Sequence, residues 1–179
     1  APITIALREP IPISGLAVDA VARLSSGATP ADLQILPIDH LGDQAPGLGS
    51  VSVALMNVHS RGTSTNGNLD FRMLSDERDL EAMMRGLSEL RRLLDSKAMK
   101  AVITAAFIDD IGTPLDALRD DLSSVHDWLL ARTGDYVHVA GGCVMGPKGN
   151  AVVDPTGRSW DVEGRSEEHT SELQSRVDI

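Results

Sequence analysis

The sequence predicts an α+β fold, in which a mostly antiparallel sheet carries helices on one face. Short segments of alternating apolar and polar residues cluster in the first part of the 179-residue chain, separated by turn-forming residues. Two longer segments follow, in which apolar residues recur at steps of three and four, the spacing of one helix face. Strands that come first and helices that come later favour an antiparallel sheet with a helical layer.

Most of the predicted strands lie before residue 75. An Asn66-Gly67 pair predicts a tight hairpin turn before the last of them. Residues 40–50 hold glycines and a proline and predict a loop, whereas residues 18–24 predict a short helix. The predicted strands cover residues 3–7, 32–37, 51–58 and 69–73.

Residues 75–96 form the clearest predicted helix. Ser75 is the expected N-cap, and Asp76 and Glu77 suit the positive end of the helix dipole. The predicted buried face consists of Leu80, Met83, Leu87, Leu90 and Leu94. The predicted solvated side carries Arg85, Arg91 and Arg92.

A second helix is predicted to follow a buried strand or extended segment at residues 101–108. Pro114 fits its first position, Asp116 fits a capping-box contact, and Gly134 is the expected stop. The chain should then extend into a strand that places His138 rigidly, as a catalytic group requires. The expected buried face of this helix consists of Leu115, Leu118, Leu122, Val125 and Leu129.

Composition excludes several classes of protein. The net charge of −10 argues against nucleic acid as a partner, because phosphate binding needs clustered lysine and arginine. No apolar run approaches the ~20 residues of a membrane span. The single cysteine, Cys143, excludes an internal disulfide framework and permits a reducing compartment. With no signal-peptide pattern at the start, we expect a cytoplasmic location.

The most informative stretch is residues 136–155, YVHVAGGCVMGPKGNAVVDP. His138 precedes Gly141 and Gly142, where a flat cofactor or substrate can approach the backbone because glycine has no side chain. Histidine also exchanges its proton most readily near neutral pH. Cys143 and His138 have no second pair at metal-ligand spacing, so we predict no metal site and a packing role for the cysteine.

This stretch resembles the C-terminal signature of the glucose-methanol-choline (GMC) family of flavin-dependent alcohol oxidoreductases. That signature reads roughly H-x-x-G-T-C-R-M-G, followed by A-V-V-D-P. The residues that fall on its first part are His138, Gly141, Cys143, Met145 and Gly146. Gly142 replaces the usual Thr and Val144 the usual Arg. Trp160 lies in a turn where the family has V-H-G, and the sequence offers no account of it.

Two upstream segments extend the resemblance to roughly residues 30–164. Residues 51–63, VSVALMNVHSRGT, resemble the family's strand ending in P-x-S-R-G-x. Residues 71–94 resemble its N-Y-L-S-D-x-x-D-L helix entry. The resemblance implies that residues 1–140 are a substrate-binding domain with an incomplete start. It also implies that residues 141–164 return toward an FAD-binding domain.

The resemblance further implies oxidation of a small-molecule alcohol. His138 would be the general base, FAD would accept the hydride, and Gly141 and Gly142 would lie near the flavin. The family's second active-site His or Asn, and the G-x-G-x-x-G dinucleotide fingerprint, have no counterpart in this sequence. We therefore expect other parts of a parent enzyme to bind most of the FAD, and this chain to be inactive by itself.

Residues 165–175, RSEEHTSELQS, match the translation of a widely used sequencing-library adapter. The match begins where the family pattern stops. We therefore predict that residues 165–179 are an adapter-derived tail, which fold reasoning should leave out.

Two local roles and one alternative function stay open. Arg61 fits a hydrogen-bond donor to loop carbonyls, with binding of an anionic substrate as the alternative. His59 could line a substrate cavity. The chain as a whole could instead be a free-standing α+β binding domain without redox chemistry. The sequence names neither the alcohol nor the electron acceptor.

Overall fold

The computed structural model describes residues 1–10, 20–38, 41, 45–118, 121–135 and 141–167. The chain divides into two compact units, Ala1–Gly134 and Asp135–Ile179. Among the helices in the described ranges, none has the length and apolar character that a membrane crossing requires.

The first unit contains all the regular strands and helices of the described residues. Its helices are α1 (Glu77–Leu94), α2 (Lys97–Val102) and α3 (Leu122–Arg132), with a 3-10 turn at Leu115–Ala117. Its strands are β1 (Pro2–Leu7), β2 (Ala22–Leu24), β3 (Leu33–Ile38), β4 (Leu48–Leu55), β5 (Thr63–Thr65), β6 (Asn68–Asp70) and β7 (Ile103–Phe107).

Five strands form one sheet in the order β2-β3-β4-β1-β7, and all its described pairings are antiparallel. Helix α1 packs against β3 and β4, and α3 packs against α1. This arrangement confirms the predicted α+β fold with a mostly antiparallel sheet.

The core lies between α1 and the sheet. Alternate residues of β1, β3 and β4 point into it, and the pairing of Ile3 with Val51 and of Ile35 with Val53 keeps the buried residues in register. At Gly86 the helix comes so close that an added Cβ would lie 2.6 Å from Val53 Cγ1. A glycine is therefore what allows α1 to approach β4.

Strands β5 and β6 form a separate hairpin, as the Asn-Gly pair predicts. Asn66 and Gly67 both have positive φ, 51° and 80°, as a type I′ turn requires. The strand predicted over residues 69–73 ends early, at Asp70, because Arg72 and Leu74 also adopt positive φ.

The helix predicted over residues 18–24 is wrong in its described part. Ala22–Leu24 is strand β2, which pairs with β3 and gains ladder hydrogen bonds that outweigh a weak helical pattern. Residues 18 and 19 lie outside the described part of the chain. The predicted loop over residues 40–50 is also too long at its end, because Leu48 and Ser50 pair with β1.

The first long helix is confirmed, with a different cap. Asp76 caps it through a 3.0 Å bond from the Arg78 amide to its carboxylate, so helix α1 begins one residue later than Ser75 would allow. The predicted apolar face is buried from Met83 to Leu94, and Leu80 packs partly buried against it.

Two of the three arginines predicted to be solvated also connect α1 to neighbouring segments. Arg85 donates a hydrogen bond to the Ser26 carbonyl. Arg91 donates to the Leu118 carbonyl at 2.6 Å, and burial lowers the pKa of its guanidinium. Arg85 and Arg92 are exposed as predicted, and Arg92 pairs with Glu89.

The second helix begins later than predicted. Pro114 precedes a short 3-10 turn, and α3 starts at Leu122, where the Asp121 carboxylate accepts the Ser124 amide at 2.9 Å. Leu122 is 74% exposed, so it does not belong to the buried face that the periodicity suggested. The predicted strand that should carry His138 lies outside the described residues.

The remaining predictions near this helix have mixed outcomes. The segment at residues 101–108 contains strand β7, but its first two residues end helix α2. Helix α3 stops at Arg132 with a cap at Thr133, so Gly134 follows the stop.

Candidate functional site

The signature segment folds back on itself through backbone hydrogen bonds. The Val144 carbonyl accepts the Val152 amide at 2.9 Å, and the Gly146 amide donates to the Val153 carbonyl at 3.0 Å. Val153 is 2% exposed and is the one buried apolar residue among the described part of this unit. The A-V-V-D-P segment of the signature thus pairs with the segment that contains its M-G turn.

Residues 147–150, Pro-Lys-Gly-Asn, form a surface turn. The Asn150 amide donates to the Pro147 carbonyl at 3.1 Å, and Gly149 has a φ of 94°. An open depression of about 420 Å³ lies beside this turn. Its lining residues are Val144, Met145, Gly146, Pro147 and Asn150.

Trp160, for which the sequence offered no account, ties this turn to the returning chain. Its indole Nε1 donates to the Gly146 carbonyl at 3.0 Å, and its backbone amide donates to the Val152 carbonyl at 3.1 Å. The half-buried indole therefore stabilises the M-G turn through this hydrogen bond. The only signal in the sequence was an aromatic residue in the turn where the family pattern has V-H-G.

Asp154 organises the turn that follows. Its Oδ1 accepts the Thr156 hydroxyl at 2.6 Å, the Thr156 amide at 2.7 Å and the Arg158 amide at 3.1 Å. The hydrogen bond from the Thr156 side chain is the largest cause that lowers the pKa of this carboxyl group. The D-P pair of the signature is thus structural in this chain.

Residues 165–167 pair with this turn through backbone groups. The Ser159 amide donates to the Arg165 carbonyl at 3.0 Å, and the Glu167 amide donates to the Gly157 carbonyl at 2.8 Å. These residues are the start of the predicted adapter-derived tail. The rest of that tail, residues 168–179, lies outside the described residues.

The structure describes only part of the predicted catalytic site. His138 lies outside the described residues. Gly141 has a φ of 82°, and no atom of the described residues packs within 4 Å of the position that a Cβ would occupy; Gly142 is exposed. Their proximity to a flavin stays a prediction, as does the role of His138. Cys143 is half-buried, and no cluster of metal-ligating residues occurs within the described ranges.

In the first unit, the Ser60-Arg61-Gly62 loop is held by side chains. Arg61 Nη1 donates to the carbonyls of Val58 at 2.6 Å and Ser60 at 3.0 Å, which confirms its predicted role as a donor to loop carbonyls. Gly62 is required by close approach, because an added Cβ would collide with the Asp70 carbonyl and lie 2.9 Å from Phe71 Cα.

The main group that the sequence analysis missed is Asp79. This carboxylate is 1% exposed and accepts the backbone amides of His59 at 2.9 Å and Ser60 at 2.6 Å. In return, the Ser60 hydroxyl accepts the Asp76 amide at 3.1 Å. The loop and the start of α1 are thus locked together. The available signal was a second aspartate three residues after the capping aspartate.

Comparison with known proteins identifies the class of this chain. A family model described as GMC oxidoreductase matches residues 53–165, which is more than half of the chain. The chain belongs to the GMC oxidoreductase family, as the resemblance of its three landmark segments implies.

The fold of this chain is also similar to that of a solved structure. A solved structure described as pyridoxine 4-oxidase from Mesorbium loti superposes with a TM-score of 0.71 at 19% sequence identity. The match covers 88% of this chain and 34% of the other, so the chain spans about a third of that protein's length. At this identity the likeness shows the fold alone. No curated protein matches the sequence.

Proposed function

We propose that this chain is the substrate-binding part of an FAD-dependent oxidoreductase that oxidises a CH–OH group. The observation that carries the proposal is the family match over residues 53–165, which encloses His138 and nearly the whole signature. The solved structure that it resembles is named as an oxidase of pyridoxine, which supports a small-molecule substrate.

His138 is the residue we assign as general base. Oxidation of an alcohol requires that the hydroxyl proton leave as the C–H hydride departs, and a neutral imidazole within hydrogen-bond reach can take that proton at its free ring nitrogen. No side chain accepts a hydride, and FAD supplies that acceptor when it is bound.

The residues present fit the edge of a flat ring but not a dinucleotide. At Gly141 the space that a side chain would fill is open, so a planar group can reach the backbone there. The sequence has no glycine-rich fingerprint for a pyrophosphate. We therefore assign to Gly141 and Gly142 contacts near the flavin ring, and place the rest of the FAD site in the parent enzyme.

The test is turnover in the parent enzyme. His138→Ala should lower the rate of dye reduction by an alcohol about 10²–10⁴-fold, the usual effect of a general base. His126→Ala is the matched control, because His126 is half-exposed and contacts Asp127, and it should leave the rate unchanged. Normal turnover in His138→Ala would remove that residue from the mechanism.

The 179-residue chain provides a second test. We expect it to elute from gel filtration without flavin absorbance, because the sequence lacks the pyrophosphate fingerprint. A yellow protein after gel filtration would contradict the assignment of the FAD site to the rest of the parent. A parent that carries no flavin would support the alternative, a binding domain without redox chemistry.

A further inference from the structure

We propose that the loop at residues 58–62 binds a small monocarboxylate, with the Arg61 guanidinium as its charged group. This inference stands apart from the proposed redox function. Arg61 is exposed, and no carboxylate of the described residues lies within salt-bridge distance of it.

The guanidinium is held in place by one nitrogen and leaves one edge open. Nη1 donates to the Val58 and Ser60 carbonyls at 2.6 and 3.0 Å. Within the described ranges, Nε and Nη2 donate to no protein acceptor. These two groups lie along one edge of the plane with parallel N–H bonds, the geometry that matches the two oxygens of a carboxylate.

The other exposed arginines around α1 differ in this respect. Arg72, Arg78 and Arg92 each pair with a carboxylate of the same segment, at 3.6, 2.8 and 2.6 Å. Those pairs use the charge that an anion would need. Arg61 keeps its charge available, although the chain as a whole is strongly acidic.

The loop that carries Arg61 is fixed before any ligand arrives. Asp79 accepts the amides of His59 and Ser60, and the Ser60 hydroxyl accepts the Asp76 amide. A binding group that is already immobile loses less entropy on association, so its contacts contribute more fully to affinity.

Exposed apolar residues that precede Arg61 in the chain, and the net charge, favour one kind of anion. Met56 and Val58 are 45% and 47% exposed on the same stretch of chain, and Val58 provides the carbonyl that holds the guanidinium. An apolar group next to the carboxylate can cover such surface. The net charge of −10 repels a phosphate dianion more strongly than a monoanion, which favours a monocarboxylate with an apolar body.

The test is an NMR titration of the isotope-labelled 179-residue chain with sodium benzoate, with sodium chloride adjusted to constant ionic strength. We expect saturable shifts at the amides of residues 58–62 and at Arg61 Nε, with a roughly millimolar dissociation constant. Acetate, which lacks the apolar body, should bind several-fold more weakly. Phosphate that binds as tightly as benzoate would contradict the monocarboxylate class.

Two conservative variants decide whether Arg61 is responsible. Arg61→Lys keeps the charge but loses the two parallel donors, and should weaken benzoate binding about tenfold. Arg92→Lys keeps its pairing with Glu89 and should bind benzoate as tightly as the unmodified 179-residue chain does. Equal affinity in both variants would overturn the proposal. Shifts that stay linear with concentration or spread over the whole surface in the unmodified chain would overturn it as well, even if Arg61→Lys fails to fold.

Discussion

The loop at residues 58–62 and the segment at residues 144–167, which contains most of the signature, are held by different kinds of interaction. The loop depends on side chains, because the buried Asp79 carboxylate accepts its amides and Ser60 accepts an amide of the helix. The signature segment depends mainly on backbone pairs, which Trp160 and Asp154 supplement. A loop fixed by one carboxylate should be sensitive to a single substitution, whereas backbone pairing should tolerate changes of side chain.

The largest effect should come from removing the Asp79 carboxylate. Asp79→Ala leaves buried amides of His59 and Ser60 without an acceptor, and should lower the free energy of unfolding by about 3 kcal/mol. Asp110→Ala is the control, because that side chain is 88% exposed and surface changes usually stay within about 0.5 kcal/mol. Urea unfolding monitored by circular dichroism measures both. Equal urea midpoints for the two variants would contradict the stabilisation of the loop by Asp79.

A smaller loss should follow from a methyl group at Gly86. Gly86→Ala gains about 1 kcal/mol in helix propensity, but its Cβ would lie 2.6 Å from Val53 Cγ1, and overpacking costs about 1–3 kcal/mol. We expect a net loss of about 1 kcal/mol, measured by the same unfolding experiment.

The control for Gly86 lies in the same unit. Gly134→Ala places its Cβ where no atom lies within 4 Å, so it should leave stability nearly unchanged. When Val53→Ala is already present, Gly86→Ala should lower the free energy of unfolding by less than it does in the unmodified chain. If Gly86→Ala were stabilising, the close approach of α1 to β4 would be wrong.

The two tryptophans allow the same change in each unit. Trp128 Nε1 donates to the Ile108 carbonyl at 3.1 Å, and Trp160 Nε1 donates to the Gly146 carbonyl at 3.0 Å. Trp→Phe removes the donor and keeps most of the ring, so each variant should lose about 1 kcal/mol. Amide hydrogen exchange should locate the Trp160→Phe effect in the signature segment and the Trp128→Phe effect in the first unit. Faster exchange in the first unit for Trp160→Phe, or in the signature segment for Trp128→Phe, would contradict these two hydrogen bonds.

The smallest effect should come from the side chains of residues 165–167. Ser166 is exposed and its segment pairs through backbone groups, so Ser166→Ala should change stability by less than about 0.5 kcal/mol. Gly157→Ala at the facing position should cost more, because its Cβ would lie 2.6 Å from the Glu167 carbonyl oxygen and its φ is 81°. The exchange rate of the Glu167 amide should be measured in both variants. Equal protection in Ser166→Ala and Gly157→Ala would contradict pairing through backbone groups.

Periodicity was enough to predict strands β1, β3 and β4 of the sheet and the first long helix. In β1, β3 and β4 the alternation of apolar residues follows which side chains are buried, and in α1 the steps of three and four follow the buried face. The start of α3 was missed because Pro114 and Asp121 are both good start signals, and only tertiary packing chooses between them.

The site was harder to predict because its key groups break the usual rules of burial. An aspartate on a helix is normally solvated, so nothing in the pattern marked Asp79 as buried. The partners of Trp160 are the backbone carbonyls of Gly146 and Val152, which carry no sequence signal. Arg85 and Arg91 reach carbonyls of distant segments, a contact that helical spacing alone does not reveal. The role of His138 stays a prediction from the family signature.

The position of β1 has a consequence for how the chain is made. This strand lies between β4 and β7, whose residues follow it by about 45 and 100 positions along the chain. Strand β1 can therefore complete its pairing only after Phe107 has emerged from the ribosome. Contacts so distant in sequence form slowly. Until β7 pairs, β1 presents an open edge to other nascent chains, so we expect the yield of folded protein to fall as the rate of expression rises.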